Sequence, residues 1–393
     1  MKETKFKNTE IGEIPKDWEV IPIGKVCNVR RGVRVTKEQL TDEGRYPVYQ
    51  NTNYPMGYFD NYNVDANTPF VIVGGSAGQI GLSKERFWAA DDCAYFEKSN
   101  TLDKVFLYYE LTHRQFEIKK FVRTASVPRL DRKVVESFVL PLPSLHEQHR
   151  IASALTSIDN LISSLDKLIE KKKNIKQGAM QQLLTGKTRL KGFSEPWVKR
   201  KLGENATIQR GGSPRPIEAY LTTSRNGINW IKIGDVRPND KFIRHTAEKI
   251  IPEGVSHSRQ VYKGDFILSN SMSFGRPYIL DIDGCIHDGW LVIKDYPNTY
   301  DMDFLYYILS SNAIFEQYIA MAAGSSVKNL NKEKVANVVL FAPQSLAEQR
   351  AIATILNKMD NEITALETKK AKYEAIKQGM MQQLLTGKIR LIS

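Results

Sequence analysis

Leu145-His146-Glu147-Gln148-His149-Arg150-Ile151-Ala152 opens a stretch that runs to Leu190, and the chain spells it out again from Leu346 to Leu391. Aligned without a gap, 25 of the 46 positions are the same. They include Glu147-Gln148 against Glu348-Gln349, Asp159-Asn160 against Asp360-Asn361, and the closing Met180-Gln181-Gln182-Leu183-Leu184-Thr185-Gly186-Lys187 against Met381 to Lys388. A match of that density over that length is a duplication, and it sets the architecture before any motif is sought.

Upstream of each copy the relationship continues and fades. Trp18, Arg31 and Gly32 align with Trp197, Arg210 and Gly211 at an offset of 179, Phe106-Leu107-Tyr108-Tyr109 with Phe304-Leu305-Tyr306-Tyr307 at 198, and Ser126-Val127 with Ser326-Val327 at 200. The drift from 179 to 201 gives the second copy about 22 extra residues, mostly in its middle. A period near 200 is far above that of a solenoid, so the chain is two domain-plus-helix units.

The repeated stretch reads as a long helix. Prolines precede it, Pro141 and Pro143 or Pro343, and none falls within it. Apolar residues at Ile151, Leu155, Ile158, Ile162, Leu165 and Ile169 step by four and three, and Ile352, Leu356, Met359, Ile363 and Leu366 repeat the pattern. That is the 3.5-residue seam of a coiled coil. Both copies weaken at one place, through Lys172 and Lys176 or Tyr373 and Lys377, and Gly186 and Gly387 read as helix C-caps. About 40 residues make a helix of about 60 Å. Two such helices can pair antiparallel, which would relate the units by a pseudo-two-fold axis and set the variable domains at opposite ends.

Four segments follow: a variable domain at 1–142, a spacer helix at 143–189, a second variable domain at 190–342 and a second spacer helix at 343–393. The variable domains read as α+β. Short apolar runs, Pro69 to Val73 and Phe266 to Leu268, end in turn-rich Gly74-Gly75-Ser76-Ala77-Gly78 and Ser269-Asn270-Ser271. Helices are expected near Lys104–Phe121 and Asp303–Met321, then closing strands at Val135–Leu140 and Val335–Phe341.

Composition narrows the function classes. Lys and Arg exceed Asp and Glu by 56 to 44, a net charge of +12 with a pI near 9.3, which suits a polyanionic partner such as nucleic acid. No stretch has the roughly 18 uncharged apolar residues of a spanning helix, and the first residues have no apolar core of a signal peptide, so a cytoplasmic protein is expected. Cys27, Cys93 and Cys285 are too far apart for a zinc site and too few for a disulfide framework, and read as reduced buried thiols.

Catalytic strings fail on spacing or against the second copy. His146-Glu147-Gln148-His149 puts its histidines three apart where a zincin needs four, and the copy has Ala347 and Arg350 there. Gly186-Lys187-Thr188 has Gln181 where a phosphate loop requires glycine. Asn67-Thr68-Pro69-Phe70 lies one residue from an amino-methyltransferase tetrapeptide, yet no glycine-rich cofactor fingerprint precedes it. Binding without chemistry is the reading that remains.

The order of a variable domain, Ser-Val-x-x-Leu, a proline-marked Leu-x-Glu-Gln entry and a heptad helix closing Gln-Gly-x-Met-Gln-Gln-Leu-Leu-Thr-Gly-Lys, all given twice, resembles the specificity (S) subunit of type I restriction-modification systems. The residues that carry it are Pro141 to Ala152 with Lys176 to Lys187, and Pro343 to Ala353 with Lys377 to Lys388. The resemblance implies a non-catalytic chain whose two target recognition domains each read half of a split duplex DNA site. The helices would fix the gap between the halves and dock two methylation (M) subunits, which supply S-adenosylmethionine chemistry; restriction (R) subunits would add ATP- and Mg-dependent translocation and cleavage. This chain would itself hold no cofactor and no metal.

DNA-contact candidates are polar or basic residues in turn-rich stretches. The first domain offers Arg30, Arg31, Arg34, Gln50, Asn51, Ser76, Gln79 and Arg129; the second offers Arg210, Arg215, Lys232, Asn270, Ser271, Arg276, Lys328 and Asn329. Arg31-Gly32 and Arg210-Gly211 align across the copies, which favours structure or phosphate over base readout. Glu147, Gln148 and the seam from Ile151 to Leu165, with Glu348, Gln349 and the seam from Ile352 to Leu366, are the candidates for helix pairing and subunit docking. The rival from another class is a duplicated coiled-coil scaffold that binds acidic proteins and no DNA.

Overall fold

The computed structural model describes residues 4–124, 126–237, 240–270, 275–322 and 330–392. It divides into two compact units, residues 1–167 with 367–393, and residues 168–366. The spacer helices are therefore not separate bodies, because each unit holds the start of one and the end of the other.

In the first unit a four-stranded antiparallel sheet runs in the order Val29–Arg31, Cys93–Phe96, Thr68–Ile72, Ile80–Ser83. Thr68–Ile72 is buried along its whole length, as its unbroken apolar run requires. Helix α1, Lys104–His113, packs on this sheet; Asp103 caps it by accepting from the Phe106 amide at 2.8 Å. A smaller sheet adds Tyr58–Phe59, Tyr46–Tyr49 and Trp88–Ala89. The chain then enters α2, Leu145–Leu183.

The second unit repeats the plan. Thr207–Arg210, Trp290–Lys294, Phe266–Ser269 and Pro277–Leu280 form the same order, with Phe242–Ile243 added in parallel at the edge. A further five-stranded sheet, which includes Ile228–Ile231 and Gly284–Ile286, takes up the extra residues of this copy. Helix α3, Met302–Leu309, is capped by Asp301 and followed after residues 332–343 by α4, Leu346–Leu384. The expected closing strands are shorter than the sequence suggests. Asp131 and Asn331 cap short helices, Arg132–Ser137 and Lys332–Ala336, so Val135 and Val335 are helical and the strands begin at Val139 and Val339. Side-chain caps and burial of the valines override β-propensity there.

The identical polar residues of the repeat build one joint, twice. In the first unit Gln148 accepts from the Asp103 amide at 2.8 Å and donates to the carbonyls of Thr101 and Pro143 at 3.0 and 2.9 Å. In the second Gln349 accepts from the Asp301 amide at 2.8 Å and donates to those of Thr299 and Pro343, both at 2.9 Å. Glu147 receives Trp18 Nε1 at 3.0 Å and the Arg390 guanidinium at 2.7 and 2.8 Å. Glu348 receives Trp197 Nε1 at 3.2 Å and Arg189 at 2.7 and 2.9 Å. Tyr109 and Tyr307 donate to Asp159 and Asp360 at 2.8 and 2.6 Å, and Lys377 and Lys176 reach the same carboxylates.

These contacts correct the role expected of four residues. Glu147, Gln148, Glu348 and Gln349 are buried and fully engaged inside their own units, so they are joints and offer no surface to a partner. Ile151 and Leu155, with Ile352 and Leu356, also lie in the domain cores beside Leu384 and Leu385 or Leu183 and Leu184. The first three turns of each long helix are core helix, and the coiled-coil seam starts after them. In the first unit Asp159 meets Lys377 and Asp166 meets Lys370, an antiparallel register. In the second Lys172 meets Glu362 and Lys176 meets Asp360. The seam weakens in sequence where lysines cross to acids of the facing helix. Leu165, Ile169 and Ile363 are buried along it, with Ile158, Ile162, Met359 and Leu366 half-buried.

Gly186 and Gly387 take φ of 69° and 68° just beyond the helix ends, a conformation only glycine holds without strain. All three cysteines are buried free thiols, and desolvation pushes Cys27 up to about 11.

Candidate nucleic-acid interface

Successive side chains of a strand point to opposite faces, and the end of Val29–Arg31 uses this to separate two arginines. Arg30 pairs with Glu97 at 2.9 Å; hydrogen bonds from Asn28 and then Arg30 hold that carboxyl below its usual range. Arg31 turns the other way and donates Nε to the Asp91 carbonyl at 2.6 Å. A Cβ on Gly32 would collide with the main-chain oxygens of Ala89 and Ala90, so the chain must be glycine where it crosses this loop.

Around Asp91 and Asp92 the fold gathers most of the first domain's candidates. Gln50 donates to Asp91 at 3.5 Å, and Arg129 pairs with Asp92 at 2.5 Å. The Ser76 amide donates to the Asn51 carbonyl at 2.9 Å, the Gly75 amide to Pro128 at 3.0 Å, and Gln79 accepts from the Asn53 amide at 3.3 Å. Gly75 and Gly78, with φ of 85° and 80°, bend the loop into this cluster. Arg34 is exposed and makes no polar contact among the described residues. Arg30 is not part of the cluster.

The second unit places Asp288 where the first has Asp91. Arg210 Nε donates to its carbonyl at 3.2 Å, and a Cβ on Gly211 would strike the His287 carbonyl oxygen. Arg215 and Ser213 reach the Asp288 carboxylate at 3.3 and 3.1 Å, and His287 Nε2 lies 3.0 Å from it. Asn270 is buried and donates to the Asp288 carbonyl at 2.9 Å, which makes it a support of the loop. Lys232 stands apart, paired with Glu248 on the second sheet, and Arg276 is exposed. Ser271, Lys328 and Asn329 lie outside the described residues.

Sequence reasoning passed over the acids. Asp91, Asp92 and Asp288 give each basic rim its scaffold, and an isolated Asp in a charged surface carries no signal of that role. It also passed over Lys119, Lys120 and Arg123. A Cβ on Gly78 would meet Lys119, Lys120 lies over the Phe116 ring at 5.0 Å, and Arg123 exchanges main-chain hydrogen bonds with Arg129. All three are exposed on the rim. The arrangement suits a polyanion, because exposed ion pairs are worth only about 0–1 kcal/mol and an arginine can leave its Asp for a phosphate. Gln50, Asn51 and Gln79 belong to the same cluster and are of the residue types that read base edges.

Among the described residues no group of three or more His, Cys, Asp or Glu could hold a metal ion, and no helix is long and apolar enough to cross a membrane. His149 of the zincin-like string is exposed, 3.5 Å from Asp103.

The family profile for the type I restriction modification DNA specificity domain matches residues 15–177 and again 194–378. The chain is 28% identical over 429 residues to the type I restriction enzyme MjaVIII specificity subunit of Methanocaldococcus jannaschii, covering 99% of this chain and 97% of that one. It is 27% identical to the putative MjaX specificity subunit of the same organism, covering 99% and 98%. Among solved structures, the S subunit of a type I restriction-modification system from M. genitalium superposes with a TM-score of 0.68 at 20% identity, covering 97% and 98%. At that identity the superposition carries the fold alone, and the doubled profile match carries the family. With one match on each half of the duplication, the chain belongs to the type I restriction-modification DNA specificity family.

Proposed function

We propose that the chain is the DNA sequence-recognition subunit of a type I restriction-modification complex, each domain reading one half of a bipartite duplex site. The observation that carries it is one framework built twice under two different rims: the Arg-Gly pair and the joints coincide, while the residues around Asp91 and Asp288 do not. Two modules on a fixed spacer read a split site when their separation matches the duplex repeat of about 34–36 Å per turn. The paired helices supply that spacer. Lys and Arg of each rim take phosphates, and Gln50, Asn51, Ser76 and Gln79, or Arg215 and Arg276, face base edges.

In this reading the chain performs no chemistry and works in the cytoplasm. Two methylation subunits dock on it and bring S-adenosylmethionine, and restriction subunits bring ATP and Mg. A scaffold without DNA binding has no use for two basic rims on acid supports. Replacing residues 190–342 with the corresponding domain of a relative should change one half of the methylated site and leave the other half and the gap as they were. Methylome sequencing of cells carrying the chimaera reads this directly; a change in both halves ends the modular reading.

A further inference from the structure

The two units finish the outer edge of their main sheets differently. Following the strand pairs across each sheet from Arg31 and Arg210, Ala94 corresponds to Leu291, Val71 to Leu268 and Ile80 to Pro277. Leu82 and Lys84 therefore stand where the second unit has Ile279 and Asp281. There the chain covers its own edge: Phe242–Ile243 lies parallel to it, and the Ile279 and Asp281 amides donate to the carbonyls of Lys241 and Ile243, both at 2.9 Å. The covering strand sits in the link of sixteen residues between Ile228–Ile231 and Glu248–Ile250; the matching link in the first unit, between Tyr46–Tyr49 and Tyr58–Phe59, has eight. Among the described residues no strand pairs with the outer side of Ile80–Ser83. The Ile80 amide is taken by the Gln115 side chain at 3.2 Å, while those of Leu82 and Lys84, two and four residues on, meet no acceptor among the described residues.

A groove accompanies this open edge. It has a volume of about 390 Å³ and is lined by Val105, His149, Thr156 and Asn160 among others, and Lys84 Nζ reaches Asn160 Oδ1 at 3.3 Å. The second unit puts Lys241 at the matching place. Its Nζ binds Asp303 at 2.7 Å and Asn357 at 2.8 Å, the counterparts of Val105 and Thr156, and lies 4.9 Å from the Tyr306 and Tyr307 rings. Beyond the strand, Arg244 pairs with Asp281 at 3.3 Å. Both basic residues of Lys241-Phe242-Ile243-Arg244 thus face an acid, and the first unit has Val105 and Lys84 in place of those acids. A strand complementary to the first unit starts with an uncharged residue and ends with an acid.

We propose that the edge at Leu82–Lys84, with its groove, is a peptide site that accepts one extended strand of another protein, in the order uncharged, apolar, apolar, acidic, parallel to Ile80–Ser83. Main-chain hydrogen bonds to the Leu82 and Lys84 amides hold the strand, the Val105 and Thr156 wall takes its first side chain, and Lys84 takes its carboxylate. The second unit fills its own edge, so the site occurs once per chain and its occupant binds once. It lies on the sheet edge, away from the seam of the paired helices, and stands whether or not the chain reads DNA.

The test uses the full chain and two labelled peptides, Gly-Val-Phe-Ile-Glu-Gly and Gly-Lys-Phe-Ile-Arg-Gly, with binding read by fluorescence anisotropy. The wild-type chain should bind the acidic peptide, one per chain, about tenfold more tightly than the basic one. Val105→Asp with Lys84→Asp, which installs the acids of the second unit, should reverse the preference. Leu82→Pro should abolish binding with thermal stability kept, because an outward-facing edge amide is where a strand tolerates proline. Hydrogen exchange should show residues 82–84 gaining protection with peptide, while residues 279–281 are protected without it. No saturable binding up to about 1 mM, or a wild-type preference for the basic peptide, overturns the inference. A chain that dimerises, and becomes monomeric with Leu82→Pro, would show that the edge pairs with its own copy and also overturns it.

Discussion

The joints of the two units and their rims have had the same time to diverge and have not done so equally. Glu147 under Trp18 and Arg390 is matched group for group by Glu348 under Trp197 and Arg189, with hydrogen bonds that differ by no more than 0.2 Å. At the rims only the Arg-Gly crossing coincides; Asp92 with Arg129 in one unit gives way to Asp288 with Arg215 in the other. The difference lies in what each residue faces. A buried charge has one acceptable neighbour, whereas a rim side chain faces outward and can change without breaking a contact inside its unit.

Breaking one joint and sparing the other should give the largest effect. Glu147→Leu leaves Trp18 Nε1 buried without an acceptor and Arg390 with Asp17 as its remaining carboxylate partner, which costs about 3–5 kcal/mol. Hydrogen exchange should show residues 4–167 losing protection while residues 168–366 keep theirs. Equal loss in both would mean that the joints are not independent.

A second contrast is chemical. Glu110 in α1 is buried, with Arg114 at 3.9 Å and Glu117 acting on its charge; the aligned residue in α3 is Ile308. Desolvation raises the Glu110 carboxyl from 4.5 to about 8. The folded state holds a proton that the unfolded chain releases, so this contribution is complete below pH 4.5 and is lost as pH rises toward 8. The loss is on the order of a few kcal/mol. Melting of the first unit should fall between pH 5 and 8, and Glu110→Gln should flatten that slope; a slope unchanged by the substitution would show that another group causes it.

The smallest effect is expected at the half-exposed pair of the seam. Lys377→Met removes the partner of Asp159 but leaves Tyr109, and should cost under about 1 kcal/mol by denaturant titration. A larger loss would mean that the joint extends into the helix pair.

Much of the fold was legible because period and proline placement are local signals. Residues 145 to 184 could be read as helix from the four-three spacing and the glycine stop, and Thr68–Ile72 as a buried strand from its unbroken apolar run. Val135 misled, since its helix depends on a cap at Asp131 and on burial that no local pattern encodes. Of the candidate site, Gln50, Asn51, Ser76, Gln79 and Arg129 were chosen by type and do converge. Lys232 and Arg30 satisfied the same rule and face elsewhere, because chemical type says nothing of direction.

The sequence by itself determined that the chain is a doubled unit with two long helices, since duplication, heptads and breakers are properties of order along the chain. Only the tertiary structure decided what the shared residues do. That Glu147 meets Arg390, 243 positions away, and Glu348 meets Arg189, 159 away, depends on antiparallel pairing of helix starts with helix ends. Burial then turns exchangeable surface charges into pairs that neither copy can alter alone.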